Sequence, residues 1–531
     1  MAHAQAAPTG ADGVYATLEA RILDRDQVGA GVAYYDLYRN GESLKDLLRE
    51  AVRIHAPYTH VPYHERIDDG YVNFVNNDHC LLSARATAHL TDMVAPELAG
   101  LPMAQTIWYI PTGLDIWNQK INRAPGHYSR GFTPPEGPPP APAVYWDDQE
   151  PEPVRGSYQA ALDEWMTLVH RGQVLDAYRM FLGMVDDASN RPKALAQLVF
   201  AGLIDVQDRV FLNRSYTTGH KSYRARATVE LGSMIGWDDA HNVLYAGALD
   251  IAVGPRWYST YELASNAIKT MIDKEPLRAI PYGGASRREI EFWRQRDPMS
   301  DTEREALVDA LIHTPEPAGH EEISKLLLAG KAPRHVMDVI QIAAARVLLE
   351  TRGDLNFSIP QHCYEYCNTV RWFADEFGHH QRTKFLYTAA SFVGRNAEHQ
   401  RNIGDVTTFE AKPPAKAGSM PMDRKLVELD TALLALDTDA SLAWTQACID
   451  DGGDRDGLIR TLAGAACKIG NDPHNQEIAL CFLEDYQRST APDKELLLLG
   501  CAHHTATHRK YGDYLECYHR YCDAMGVEAT A

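Results

Sequence analysis

Four histidines are the residues of this sequence whose spacing most strongly suggests shared chemistry. Each begins or interrupts a segment with helical periodicity (His79 lies within a predicted helix over residues 71–93), and a second helical segment follows each one. The first two intervals between them differ by a single position, and the third interval is shorter. Near-equal intervals indicate a repeat in which equivalent positions face the same side of stacked helix pairs. The four residues are His79, His220, His362 and His474.

Neutral imidazole is a ligand for zinc, iron, copper and nickel, so four converging histidines predict a metal site. His241 is a fifth candidate, because it opens the next predicted helix after the one that His220 precedes. Glu230 and Asp250 offer carboxylates, and a mixed histidine and carboxylate site with open positions suits non-haem iron. The competing interpretation is that each histidine caps a helix or satisfies a polar group in the core.

The segment from Gly219 to residue 253 predicts a helical hairpin. Its first helix covers residues 222–234, Gly236 is a natural left-handed terminator, and the nearly apolar second helix covers residues 241–253. A buried helix that opens with His241 places a metal-competent imidazole beside the core.

Two shorter patterns offer other metal ligands. His504 and His508 are four residues apart and share a helix face, yet they lack the glutamate of the HExxH metalloprotease motif. A solvated helix face explains this pair equally well. Cys363 and Cys367 have the same spacing, but without a second cysteine pair they predict core thiols.

The sequence predicts an all-α protein built as a large, repeat-like array of helical hairpins with Pro-rich loop excursions. Period-two alternation is nearly absent, and helical periodicity continues almost without a pause after residue 158. Composition divides the chain into a disordered lead (1–13), an N-terminal helical part (14–131), a Pro-rich connection (132–157), central helical repeats (158–401), a linker (402–422) and a C-terminal helical part (423–531).

Composition also excludes several classes of function. The net charge of −20 argues against nucleic acid or an anionic membrane as a partner. No segment approaches the roughly 18 apolar residues that cross a bilayer, and the first 13 residues do not resemble a secretory signal. Nine scattered cysteines predict a reducing, cytoplasmic setting. P-loop, GxGxxG and Gly-x-Ser-x-Gly motifs are absent from the sequence.

Aromatic residues are frequent near the histidines, among them Trp108, Trp237 and Tyr364. A pocket that they line would suit a planar or apolar small-molecule substrate. Aromatic residues at helical spacing also form ordinary core, which is the alternative here.

Several ordered motifs between residues 70 and 490 resemble a family of large, helical, histidine-rich bacterial proteins. Some members are associated with Rieske ferredoxin domains, and the family is distantly similar to questin oxidase-like proteins. The motifs are Val75-Asn76-Asn77-Asp78-His79 with Trp108 and Leu114-Asp115, then Gly219-His220-Lys221 with Gly236-Trp237, His241 and Val243-Leu244, then His362 with Asn368, and finally His474 with Leu483-Glu484-Asp485-Tyr486.

The resemblance implies a helical redox enzyme with a histidine-lined site. The chain lacks a Cys-x-His motif followed along the sequence by a separate Cys-x-x-His motif, the arrangement that holds a Rieske cluster, so electrons must come from an electron-donor protein or from the substrate. Several further histidines have no counterpart in the resemblance: His379, His380, His503, His504 and His508.

The leading hypothesis is a metal-dependent oxidoreductase or oxygenase, with iron favoured over copper and zinc, acting on a small aromatic or polyketide-like substrate. His79, His220, His241, His362 and His474 would bind metal or transfer protons. Catalysis would use His241, and Lys221, Asp115 and Glu484 would orient ligands or substrate. Two alternatives stay open: a metal-free lyase or hydrolase with an imidazole base, and a non-enzymatic helical scaffold. Homo-oligomerisation is compatible with all three.

Overall fold

The regular structure of this protein is helical. Within the described ranges, β geometry occurs only in an isolated bridge between Thr351 and Val406, which confirms the all-α prediction. The computed structural model describes residues 13–58, 78–113, 149–206, 219–238, 240–252, 258–271, 298–353, 358–379, 381–470, 472–507 and 513–530.

The helices are numbered in chain order. The first eight are α1 (Ala16–Leu23), α2 (Gln27–Arg39), α3 (Leu44–His55), α4 (Asp78–Leu90), α5 (Leu101–Gly113), α6 (Tyr158–Arg171), α7 (Val174–Asp186) and α8 (Arg191–Ile204). The next eight are α9 (His220–Ile235), α10 (Ala240–Ala252), α11 (Ser259–Met271), α12 (Asp301–Ile312), α13 (Ala318–Leu328), α14 (Pro333–Leu349), α15 (Ser358–Glu376) and α16 (Lys384–Asn402). The last are α17 (Met422–Leu434), α18 (Thr438–Asp451), α19 (Arg455–Lys468), α20 (His474–Arg488), α21 (Glu495–Thr507) and α22 (Glu516–Met525), with short 3-10 helices at Ala56–Tyr58, Pro96–Leu98 and Ala415–Ser419.

Local sequence explains where several helices begin and end. The Ser157 side chain accepts a backbone hydrogen bond at the start of α6, and Ser300 and Glu303 form a reciprocal capping box at the start of α12. Gly236 ends α9 at the predicted place. Its φ of 106° favours glycine, but its ψ of 162° lies outside the left-handed helical region that was predicted.

Four helices, α4, α9, α15 and α20, form a ring at the centre of the molecule, and each packs against the next. They run in the same direction, because residues near the start of one helix contact residues near the start of its neighbour, and later residues contact later ones. For α4 and α20, His79 contacts His474, and Arg85 contacts Glu484. Each central helix forms a hairpin with the helix that follows it in the chain. The predicted array of helical hairpins is therefore present.

The three helical parts that composition distinguishes share one hydrophobic core, because α4 of the first part packs against α20 of the last. The lead and the Pro-rich connection lie largely outside the described residues, which resume at residue 149. Among the helices described, not one combines the length and the apolar character that a membrane span requires.

Candidate metal centre

The N-terminal ends of the four central helices meet, and each contributes one histidine to what we term the histidine cluster. His220 and His474 are the first residues of α9 and α20, His79 is the second of α4, and His362 is the fifth of α15. Centroids of neighbouring rings are 4.5 Å apart for His79 and His474 and 4.7 Å apart for His220 and His362. None of the four residues is more than 5% exposed. Residues that are far apart in the sequence thus form one buried group.

The ring nitrogens of the cluster are spaced for a shared ion. The Nε2 atoms of His362 and His474 are 3.3 Å apart, and one nitrogen from each of His79, His220 and His474 lies within 4.8 Å of the others. Two nitrogens that bind one ion tetrahedrally at about 2.0–2.1 Å are about 3.4 Å apart. The separation of the two Nε2 atoms also permits a hydrogen bond between these imidazoles.

Two carboxylates orient rings of the cluster. Asp472 Oδ1 lies 2.6 Å from His474 Nδ1 and also accepts the His474 backbone N–H at 3.0 Å. Glu477 Oε2 lies 3.3 Å from His79 Nδ1. A carboxylate that accepts a hydrogen bond from Nδ1 directs Nε2 toward a metal. In His474 this Nε2 is the atom that faces His362.

The electrostatics at His220 favour neutral imidazole, which is the form that binds metal. Burial lowers the pKa of His220 well below its usual value, and the neighbouring His362, His79 and Arg224 lower it further. Gly219 precedes the helix with a φ of 96°, and a β-carbon there would collide with the Tyr223 hydroxyl. This glycine therefore lets the chain enter α9 with His220 at its first position.

A charged network occupies the next level of the ring. Arg85 and Arg226 each donate hydrogen bonds to Glu230 and Glu484, and Arg226 also contacts Asn368. Burial alone would raise the pKa of Glu484, but Arg226 and Arg85 outweigh it and lower that pKa to about 2. The two guanidinium groups disfavour a cation between Glu230 and Glu484, although His89 lies beside them.

Two other predicted site residues lie elsewhere. Lys221 Nζ donates to Asp205 Oδ2 at 2.5 Å in a buried ion pair. His241 Nδ1 lies 2.7 Å from the Tyr178 hydroxyl, and the 16 residues of α9, or about 24 Å of helix, separate it from His220. The charged group of Lys221 and the ring of His241 therefore have partners outside the histidine cluster.

Of four further predicted carboxylates, two belong to the charged network and two fall outside the described residues. Glu484 and Glu230 each form ion pairs with both Arg85 and Arg226, at the level below the cluster. Asp115 and the side chain of Asp250 lie outside the described part of the chain.

The tight histidine pair of the C-terminal part has a different role from the one its spacing suggests. His504 Nε2 lies 2.9 Å from the backbone carbonyl of His474, so His504 contacts the start of α20 from α21. His508 lies outside the described residues. Cys363 and Cys367 are buried thiols, as predicted.

The sequence-based prediction missed Asp472, Glu477, Arg85 and Arg226. A signal for the arginine network was nevertheless present, because polar residues recur at fixed offsets from the cluster histidines. Six positions after His79, His220 and His362 come Arg85, Arg226 and Asn368. Ten positions after His79, His220 and His474 come His89, Glu230 and Glu484.

A small cavity of about 10 Å³, enough for about one water molecule, lies beside the cluster. Its lining includes Gln105, Tyr109, Asp472 and Gln476. Because Asp472 also contacts His474, this cavity is one hydrogen bond away from the ring nitrogens.

Acidification is expected to destabilise the protein through His503 of α21. Burial lowers the pKa of His503 from 6.5 to about 4. The folded protein therefore keeps this histidine neutral at pH 5, whereas the unfolded chain binds a proton below about pH 6.5. From pH 8 to pH 5 this group alone should lower the free energy of unfolding by about 2 kcal/mol.

Urea denaturation at both pH values tests this expectation. The His503→Gln variant should lose about 2 kcal/mol less than the parent protein between pH 8 and pH 5. His519→Gln is the control, since His519 is exposed on α22. An unchanged pH dependence in His503→Gln would contradict the prediction.

Comparisons of the chain with protein-family models, with curated proteins and with solved structures find no match. Inferences about function therefore depend on the geometry of the site.

Proposed function

We propose that the histidine cluster binds a redox-active metal ion and that the protein is a metal-dependent oxidoreductase. The observation that carries this proposal is the meeting of four buried imidazoles from four helices, with two Nε2 atoms 3.3 Å apart. Nitrogen-rich sites of this kind suit iron, copper, nickel and zinc. We favour iron, because a six-coordinate ion held by four imidazoles keeps two positions for other ligands. Bound iron would supply electron transfer and Lewis acidity.

The protein's own residues would hold and orient the ligands. Asp472 and Glu477 would fix the ring orientations of His474 and His79. The Tyr223 hydroxyl donates to the His362 carbonyl oxygen at 2.6 Å, so it would hold the neighbouring helix in register. Burial of the whole cluster would limit access of bulk water to the reacting atoms.

For the substrate, we propose a small aromatic or polyketide-like molecule. Tyr109 lines the small cavity beside Asp472, and the Tyr223 ring centroid is 5.5 Å from that of His220, so aromatic surface is present next to the cluster. Electrons would come from the substrate or from a donor protein, and a cytoplasmic setting suits both the buried thiols and this chemistry.

Elemental analysis tests the proposal most directly. Protein purified anaerobically, without a His-tag or chelator, is expected to contain at least one iron per chain. Oxygen uptake with aromatic substrates should then cease when a chelator removes the metal. Zinc alone would contradict the redox function, because four imidazoles close its tetrahedral shell as in structural sites.

A metal-free lyase or hydrolase is the second candidate, and the Asp472–His474 contact supports it. A carboxylate 2.6 Å from Nδ1 is the arrangement that orients a histidine as a general base. Metal-free protein that retains activity, and loses it in Asp472→Asn, would favour this candidate over the oxidoreductase.

A further inference from the structure

Two of the four central helices carry the same pair of ligand types. In α15, His362 is followed three residues later by Glu365, and in α20, His474 is followed three residues later by Glu477. Residues three apart share a helix face and are separated by about 4.5 Å along the axis. All four residues are buried, and Glu477 is 1% exposed. The matched spacing therefore places a carboxylate beneath each of two cluster histidines.

The two carboxylates belong to one chamber. Because α15 and α20 are adjacent and run in the same direction, Glu365 and Glu477 lie at the same level. Glu477 also contacts His79 of α4. Burial raises the pKa of Glu365 well above its usual range, and the nearby Glu477 raises it further. Helix register thus places two buried acidic side chains at one level of the ring, and one of them contacts a cluster imidazole.

The arginines of the charged network, one level below, bind carboxylates other than Glu365 and Glu477. Arg85 and Arg226 donate hydrogen bonds to Glu230 and Glu484, at distances that include 2.9 Å and 2.8 Å. Two guanidinium groups and two carboxylates balance one another in charge within this network. Glu365 and Glu477 therefore lie between the imidazole layer and a network whose own charges balance.

Resting on the proposed function, we propose that the chamber holds two metal ions, the second bound by Glu365 and Glu477 together with cluster histidines. Four imidazoles and two carboxylates make six side-chain ligands, the number that helical bundles use for paired ions. There, too, two helices each supply a histidine and a carboxylate three residues apart. The rise of about 4.5 Å between the two layers suits ions about 3.5–4 Å apart. The site differs from such carboxylate-rich centres in being dominated by nitrogen.

Ferrous iron alone is the probe for this inference. Protein without a tag is loaded anaerobically, desalted, and analysed for iron per chain. The expected ratio is two, falling to one in Glu365→Gln and in Glu477→Gln. Glu230→Gln is the matched control, because Glu230 is a buried carboxylate in the arginine network, and it should retain two. Circular dichroism checks that each variant is folded.

The outcomes separate this inference from the proposed function. A ratio of one in the parent protein overturns the second ion and leaves the oxidoreductase standing, whereas a ratio of zero overturns both. A ratio of two that falls only in Glu230→Gln overturns the assignment to Glu365 and Glu477.

If a variant fails to fold, paramagnetic resonance of the oxidised parent protein decides. A coupled ferric pair suppresses the signal of isolated high-spin iron. A full isolated-ion signal overturns the proposal.

Discussion

Simultaneous replacement of His220, His362 and His474 by alanine is expected to reduce bound metal to background and to abolish activity. The variant keeps one of the four cluster imidazoles, so each proposed ion loses most of its nitrogen ligands and cannot compete with water for its place. The measurement is elemental analysis and oxygen uptake beside the parent protein. Metal content and activity that survive the triple replacement would reject the histidine cluster as the site.

A milder variant separates metal binding from folding. Asp472→Asn retains all four imidazoles but weakens the orientation of His474, so metal affinity should fall about 10–100-fold. His519→Ala, on the exposed face of α22, should leave affinity unchanged. Equal affinity in Asp472→Asn and the parent protein would show that Asp472 does not position the ligand.

Arg226→Met is expected to destabilise the protein by about 3–5 kcal/mol, the usual cost of leaving buried charges without their partner. Arg226 donates to Glu230 and Glu484, and its guanidinium also lies 4.9 Å from the centroid of the Trp372 ring. Methionine fills similar volume, so the loss reports mainly on charge. Urea denaturation gives the free energy of unfolding.

The double variant Arg226→Met with Glu484→Gln is the control for this interpretation. Removing one of the excess carboxylate charges should restore part of the lost stability, since the two side chains are coupled. If Arg226→Met costs less than about 1 kcal/mol, or Glu484→Gln adds to the loss, the network is not a balanced charge cluster.

The sequence by itself determined the helical class and the positions of His220 and His362 near helix starts. Apolar periodicity depends on neighbours three and four residues away, and α9 and α10 accordingly appear within two residues of their predicted starts. The near-equal intervals also indicated that His79, His220 and His362 occupy equivalent positions. These are properties of local order along the chain.

Only the tertiary structure decided which side chains meet. His241 belongs to the same hairpin as His220, yet the length of α9 places it at the opposite end of that hairpin. His474, by contrast, contacts His79 although most of the chain separates them in sequence. Glu484 belongs to one of the motifs that carry the family resemblance, but it forms ion pairs with two arginines, from α4 and α9. Glu477 carried no motif at all, and it lies at the cluster. The physical reason is that a side chain's chemistry depends on which helix packs against its face, and that packing is set by contacts between distant segments.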